Sequence, residues 1–256
     1  MKLPISQRLL RACPGLSAPA PIEADFDVLA LDKRDYARAG ITASGPAWEE
    51  LQTSYADLPA DVYLPEGASY RRRRFGRFSF DTETGSLRAL ADRPFFQAAQ
   101  VNRLNGGFDR HFAALTPALS RNRVLYQLIR FHAMKLRRVS PEISTWKVYL
   151  HQIRIAASAE QSGKPAPEGL HQDGHHYVAQ VLVARENVAG AESRVLDLGG
   201  RLIACTTLTD ALDTLLVNDR SVFHEVTELH CLAADRLAYR DMLLIDFNPY
   251  DDADEN

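Results

Sequence analysis

The second half of the chain carries a succession of apolar segments that limits the folds open to it. Aromatic and β-branched residues dominate TWKVYLHQIRIAAS (145–158), and further strand patterns occupy 176–185, 200–208, 213–229 and 237–247. Glycine, proline, asparagine and aspartate fill the spacers between them. Strands at short intervals, with turn residues between them, indicate an antiparallel sandwich or barrel rather than βαβ units.

The part of the chain before residue 140 is richer in helical patterns. Helices are predicted over 47–58, 92–104 and 119–138, with Asp92 and Ser120 as N-caps of the last two. One strand is expected near 70–80, and Thr84-Gly85 has the composition of a turn. The chain is therefore predicted to be an α+β protein whose N-terminal helices pack on a β core.

No linker or low-complexity stretch interrupts the sequence, which favours a single domain over 1–256. Within it we expect a mainly helical part (1–140), the main strands (141–248) and an acidic tail (249–256). Three scattered cysteines, Cys13, Cys205 and Cys231, form neither a disulfide framework nor a CxxC zinc motif. The N-terminus lacks a signal-peptide pattern, and no apolar run approaches ~20 residues. A cytoplasmic protein without membrane segments is expected.

The stretch EGLHQDGHHYVAQ places four metal-binding side chains directly before a strand. His171 and Asp173 alternate, so an extended chain directs both to the same side. His224, within SVFHEV, shares a strand face with apolar residues and needs a partner when buried. Two histidines and one carboxylate suit non-heme Fe(II), with open positions left for substrates. We predict a catalytic metal site at His171, Asp173 and His224; the alternative is a turn at HQDG and two ordinary histidines.

The neighbouring histidines are not predicted as ligands. Gly174 and the strand that follows it argue against a helical pair of His171 and His175. We expect His175 to be exposed or to face a substrate, and His176 to begin the strand. Of His151 and Gln152, which point to opposite faces of their strand, one must face the interior.

An arginine that enters a strand among apolar residues, Arg240 in AYRDMLLIDF, is predicted to clamp a carboxylate. Arg154 and Arg236 are its rivals. The run YRRRRFGRF (70–78) interleaves arginines with aromatic residues, as in some nucleic-acid sites. The net charge of −3 does not favour nucleic acid, and solvated arginines or a substrate-carboxylate site fit the run better.

Taken in order, HQDG, HEV and YRD resemble the HxD…H…R pattern of Fe(II)/2-oxoglutarate-dependent dioxygenases. The run PAPEGLHQDGHHYVAQVLVARENVAGAES is similar to the bacterial subfamily of L-isoleucine dioxygenase and its biofilm-linked homologues. The resemblance is densest over 146–247. It implies a double-stranded β-helix (a jelly roll, cupin-like), with His171, Asp173 and His224 as iron ligands and Arg240 as the 2-oxoglutarate arginine.

The resemblance also implies an activity. The expected enzyme uses Fe(II), 2-oxoglutarate as co-substrate and O2, is stimulated by ascorbate, and hydroxylates a free L-amino acid or similar small molecule. Succinate and CO2 are the co-products. Two alternatives remain open at this point. One is a non-catalytic metal-binding jelly roll in a stress or biofilm response. The other is a hydroxylase of the same fold that acts on a macromolecule.

Overall fold

The computed structural model describes residues 26–64, 68–102 and 104–251. A 3-10 helix, Ser54–Asp57, follows the second of four α-helices: α1 (Lys33–Ala37), α2 (Pro46–Thr53), α3 (Pro117–Ser120) and α4 (Arg123–Leu136). The strands are β1 (Val28–Leu31), β2 (Arg71–Asp81), β3 (Leu87–Ala89), β4 (Thr145–Ala157), β5 (Tyr177–Glu186), β6 (Val188–Gly190), β7 (Glu192–Asp197), β8 (Leu202–Thr207), β9 (Thr214–Asn218), β10 (Val222–Val226), β11 (Leu229–Cys231) and β12 (Ala238–Pro249).

Two antiparallel sheets face each other across an apolar layer. The large sheet has the strand order β1-β9-β5-β12-β4-β2-β3, and the small sheet has the order β10-β7-β8. Val178 and Val217 of the large sheet pack in one buried cluster with Val195 and Val222 of the small sheet. The short strands β6 and β11 pair beside them. This arrangement confirms the α+β class and the jelly-roll core.

The outer face of the large sheet is covered by α2 and α4. Alternate residues of each strand face this helical layer, because successive side chains point to opposite sides of a sheet. The layer is filled by fully buried apolar side chains: Trp48, Leu51, Leu125, Leu128, Trp146, Leu150, Ile245 and Phe247. The remaining residues of the central strands β4 and β12 face the small sheet, where the candidate site lies.

The predicted helix over 92–104 is wrong. Phe95 and Arg110 instead exchange both backbone hydrogen bonds, at 2.8 and 3.0 Å, and separate turns begin at Ala98 and Asn102. The Phe95 ring lies edge-on to His151, with their centroids 4.7 Å apart. The contacts of Phe95 in the interior therefore outweigh the helix propensity of the segment, and Asp92 caps no helix.

The other two predicted helices are present with different boundaries. Helix α2 and the 3-10 helix cover 46–57, and α4 covers most of 119–138. The N-cap of α4 is not Ser120, whose hydroxyl donates to the carbonyl of Thr116 at 3.1 Å. It is Asn122, whose side-chain oxygen accepts two backbone N–H groups at 2.9 and 3.2 Å.

Several expectations concern residues at the ends of the chain. The N-terminal segment with Cys13, and the acidic tail after residue 251, lie outside the described residues. The remaining cysteines, Cys205 and Cys231, are not joined by a disulfide. Within the described ranges, no helix combines the length and apolarity needed to cross a membrane.

Candidate metal centre

The fold brings His171, Asp173 and His224 together. The loop before β5 carries His171 and Asp173, and β10 carries His224. A short antiparallel bridge joins them, with backbone hydrogen bonds of 3.0 and 2.9 Å between His171 and His224. One donor atom from each of the three side chains lies within 4.8 Å of the others. The Asp173 carboxylate sits 3.5 Å from His171 Nε2 and 3.3 Å from His224 Nε2.

A second carboxylate, Asp219, supports this cluster from behind. It is 1% exposed and accepts the backbone N–H groups of Asp173, Gly174 and His175 at 3.0, 2.7 and 2.9 Å. Its Oδ1 also lies 3.1 Å from His224 Nε2. Asp219 thus ties the loop that carries Asp173 to the strand that carries His224. Sequence reasoning missed it, because it falls in NDR, inside a segment that was predicted as strand.

The side chains of the cluster shift one another's pKa values. Burial opposes the charged form of His224, but hydrogen bonds and charge from Asp173 and then Asp219 raise its pKa to about 10. The pKa of His171 is raised in the same way by Asp173, against the effect of burial. Burial opposes ionisation of Asp173, and hydrogen bonds from both histidines nevertheless hold its pKa well below the usual range.

This donor set fits a divalent metal ion. His171 Nδ1 donates to the carbonyl of Gly169 at 2.8 Å, which fixes the tautomer and leaves Nε2 facing Asp173. His224 Nδ1 is buried without a hydrogen-bond partner among the described residues. Two imidazole nitrogens and a carboxylate on one side of a cavity match non-heme Fe(II) chemistry.

The cluster opens into a cavity of about 110 Å³ between the two sheets. Arg240 enters it from β12 and is 3% exposed. Its Nε and Nη2 atoms are buried without a partner among the described residues. Burial, followed by the charge of Arg185, lowers the pKa of Arg240 to about 9. A buried guanidinium with unused donors is suited to a carboxylate ligand.

The two rival arginines lie elsewhere. Arg154 points to the other face of the large sheet, where Nε and Nη2 each donate to the Asp241 carboxylate at 2.7 Å. Arg236 is exposed and contacts Asn187, with 3.4 Å between Nη2 and Oδ1. Of the three candidates, Arg240 is the one that lines the cavity.

The remaining histidines differ partly from expectation. His175 is not exposed: it is 6% exposed, lines the cavity and accepts a hydrogen bond from Asn248 Nδ2 at 2.9 Å. His176 precedes the strand, which begins at Tyr177. His151 is the member of its pair that faces the cavity, whereas Gln152 donates to the Ser54 hydroxyl on the helical side.

The arginine run does not form a solvated charged edge throughout. Arg71 and Arg73 are 5% and 6% exposed and line the cavity. Arg72, on the opposite face of β2, is exposed. The strand alternation was therefore predictable, but the side that faces the interior was not.

Comparisons with known proteins agree with the geometry. The sequence profile of the family described as 2OG-Fe dioxygenase matches residues 52–246. L-isoleucine-4-hydroxylase of Bacillus thuringiensis is 25% identical over 203 residues, which cover 78% of this chain and 82% of that protein. The 3(1)-hydroxy-L-isoleucine 4-dioxygenase of Pantoea ananatis (strain AJ13355) is 26% identical over 204 residues, covering 78% and 80%. The crystal structure of a bsmA homolog from Methylobium petroleophilum PM1 has a TM-score of 0.78 and 28% identity, covering 87% of this chain and 88% of that one.

Proposed function

Because this chain belongs to the 2OG-Fe dioxygenase family, as the match over residues 52–246 shows, we propose that it hydroxylates a free L-amino acid or a close small-molecule relative. The chain is a 2OG-Fe(II) dioxygenase and thus an oxidoreductase. Its co-substrates are 2-oxoglutarate and O2, its co-products succinate and CO2, and ascorbate stimulates it. The names of two similar proteins support the substrate class, since both refer to L-isoleucine or its hydroxylated form.

Iron is assigned to His171, Asp173 and His224. The observation that carries the proposal is the placement of these three donors at a cavity that Arg240 also enters. Two nitrogens of Arg240 have no hydrogen-bond partner among the residues that the structure describes. Bound iron, with 2-oxoglutarate and O2, supplies the oxidising chemistry that hydroxylates an unactivated C–H bond. The side chains around the metal ligands would bind 2-oxoglutarate and limit the access of water.

Arg240 would bind a carboxylate of 2-oxoglutarate. Its planar guanidinium offers parallel donors to a carboxylate, and its burial strengthens each charge-assisted hydrogen bond. Met242 and Leu244, which follow Arg240 on the same face of β12, line the same cavity with apolar surface. They restrict water between the clamp and the metal ligands.

The test is succinate formation from 2-oxoglutarate with Fe(II) and ascorbate, in air and under nitrogen, for each of the twenty L-amino acids. We expect oxygen-dependent succinate that rises strongly with one or a few amino acids. His224→Ala should lose both metal binding and turnover. His230→Ala, which removes an exposed histidine on β11, is the matched control and should retain both. Slow turnover that no amino acid stimulates would reject the substrate class, and wild-type turnover by His224→Ala would reject the iron site.

A further inference from the structure

The cavity contains a second group of buried arginines besides Arg240. Arg71 and Arg73 reach it from β2, and Arg110 from the loop that pairs with Phe95. We call these three residues the arginine cluster. One carboxylate serves it: Asp61 Oδ2 lies 2.7 Å from Arg71 Nε and 3.7 Å from Arg73 Nη1. Among the described residues, Asp61 is thus the one carboxylate that forms an ion pair with any of these three buried arginines.

The arginine cluster has N–H donors that no group in the described ranges accepts. The side chain of Arg110 is buried, with 3% of the residue exposed, yet its one side-chain hydrogen bond within the described residues runs from Nη2 to Gln97 Oε1. The Nε atoms of Arg73 and Arg110 are buried without a partner there. A buried N–H group of a charged side chain is costly when it is left unpaired. A bound anion would satisfy these donors.

Aromatic rings pack against the guanidinium groups of Arg73 and Arg110 and form no hydrogen bonds with them. Arg73 Cζ lies 3.8 Å from the centroid of Phe112, and Arg110 Cζ lies 4.8 Å from that of Phe95. Cation–π contacts of this kind leave the in-plane N–H groups available to a ligand. Burial, followed by the charge of Arg71, lowers the pKa of Arg73 to about 9.

A carboxylate without a cationic partner lies on the other side of His151. Arg73 Nη2 is 2.5 Å from His151 Nδ1, and His151 Nε2 is 3.3 Å from Asp246 Oδ2. Arginine only donates, so His151 accepts at Nδ1 and is neutral. His175 Nε2 also lies 3.3 Å from Asp246 Oδ2, but outside hydrogen-bonding geometry. Asp246 is 3% exposed, and no lysine or arginine of the described residues forms an ion pair with it.

We propose that the arginine cluster binds the carboxylate of the substrate and that Asp246 binds its ammonium group. The two charged sites are separated by one imidazole ring and its contacts at either end, a spacing suited to the zwitterionic end of an α-amino acid. The inference rests on the proposed function and names the residues that would select a free amino acid.

The carboxylate site is separate from the 2-oxoglutarate clamp. Arg71 and Arg240 face the same residue of β4, Ile155, from the two neighbouring strands. Strands two positions apart in a sheet are about 10 Å apart. The proposed substrate carboxylate and 2-oxoglutarate would therefore each be bound by arginines of a different strand.

The first test needs no variant. Calorimetry under nitrogen, with Mn(II) and 2-oxoglutarate bound, would compare L-isoleucine with L-isoleucinamide, which lacks the carboxylate, and with 3-methylpentanoate, which lacks the ammonium. If the succinate assay selects another amino acid, that amino acid and its two analogues replace them. We expect each analogue to bind about 30-fold more weakly or worse, because a buried charged group is then left unpaired.

Two variants test which residues bind the carboxylate and the ammonium group of the amino acid. Arg110→Gln should weaken binding of the amino acid about 30-fold while leaving that of its amide unchanged, so that the two ligands bind alike. Asp246→Asn should weaken binding of the amino acid about 30-fold and leave binding of 3-methylpentanoate, which lacks the ammonium group, unchanged. Arg72→Gln, on the exposed face of β2, is the matched control and should bind as wild type. Unchanged 2-oxoglutarate affinity verifies that each variant is folded.

The outcomes separate this inference from the proposed function. If an amino acid stimulates succinate formation but Arg110→Gln keeps wild-type affinity and preference, the arginine cluster is not the carboxylate site. If no amino acid binds to or stimulates the wild-type enzyme, the proposed substrate class is rejected, and the inference with it.

Discussion

At the scale of single residues, Arg154 and Arg240 differ in what satisfies their charge. The side chain of Arg154 donates two hydrogen bonds to Asp241, whereas two nitrogens of Arg240 have no partner within the described part of the chain. We expect Arg240→Gln to weaken 2-oxoglutarate binding about 30-fold or more, because a buried charge-assisted pair is lost. Binding would be measured by calorimetry under nitrogen with Mn(II) present.

Arg154→Gln is the matched control for this prediction. It removes an arginine from the neighbouring strand but leaves the cavity unchanged. It should lower the free energy of unfolding, since Asp241 loses its partner, and should leave 2-oxoglutarate affinity close to wild type. A larger loss of affinity in Arg154→Gln than in Arg240→Gln would show that the clamp is assigned to the wrong residue.

His132 is fully buried on the helical side of the large sheet and makes stability depend on pH. The Thr214 hydroxyl donates a hydrogen bond to the Leu212 carbonyl at 3.0 Å. It therefore accepts a hydrogen bond from the Tyr36 hydroxyl at 2.7 Å. The Tyr36 oxygen then accepts from His132 Nε2 at 3.0 Å, and Nδ1 has no partner among the described residues. Burial, and to a lesser extent Lys135, lower the pKa of His132 to about 3.

The sign of the pH dependence follows from this shift. Between about pH 6.5, the pKa of an unfolded histidine, and pH 3, the unfolded chain binds a proton that the folded chain excludes. Stability is therefore lost as pH falls through this window. From pH 6 to pH 5 we expect His132→Gln to lose about 1 kcal/mol less stability than wild type in urea unfolding. Equal losses would mean that His132 is already protonated in the fold.

Among the secondary-structure elements, α4 has an N-cap that differs from the predicted one. Ser120 is a residue type that often caps helices, but Asn122 is the residue that caps α4. The side chain of Asn122 caps α4 and also donates to the Ala47 carbonyl and Glu50 Oε2, at 2.8 and 2.7 Å, which ties α4 to α2. Asn122→Ala should lower the free energy of unfolding by about 2 kcal/mol, since it removes the cap and leaves buried groups unpaired. Ser120→Ala should change it by less than about 0.5 kcal/mol. Urea unfolding of both variants measures the difference, and similar losses would contradict the assignment.

The long strands were predictable and several short elements were not. β4, β5 and β12 are continuous apolar or alternating segments, and their patterns predicted them within a few residues. β6 and β7 were missed in part because Ala191, with a φ of 55°, turns the chain at a position that its residue type does not mark. The segment around Phe95 was misassigned because contacts in the cavity decide its conformation.

At the scale of the whole molecule, the predictability of the site depends on how far apart its parts lie in the sequence. The expectation that His171, Asp173 and His224 come together could be drawn from two short motifs and strand alternation. Asp61, Arg110 and the other charged residues of the substrate region could not be assigned to a common cavity. Their encounter depends on the registers between β2, β4 and β12 and on the loop pairing at Phe95, which no local pattern specifies.

Because the residues of the proposed site lie far apart in the sequence, ligand binding is coupled to folding. The proposed metal ligands lie on the loop before β5 and on β10 of the small sheet, and the proposed clamp lies on β12 of the large sheet. An unfolded chain cannot present them together, so metal and 2-oxoglutarate should bind to the folded state alone. At a hundredfold excess over its dissociation constant, each such ligand adds about 2.7 kcal/mol to the free energy of unfolding.

Thermal unfolding under nitrogen resolves the two contributions. Wild type should gain stability with Mn(II), gain more when 2-oxoglutarate is added, and lose both increments with EDTA, because the proposed site would hold 2-oxoglutarate partly through the metal. Arg240→Gln should retain the metal increment and lose most of the 2-oxoglutarate increment. His224→Ala should lose both. If 2-oxoglutarate stabilised His224→Ala as it does wild type, its binding would not require the metal centre, and the two halves of the cavity would have to be treated as independent sites.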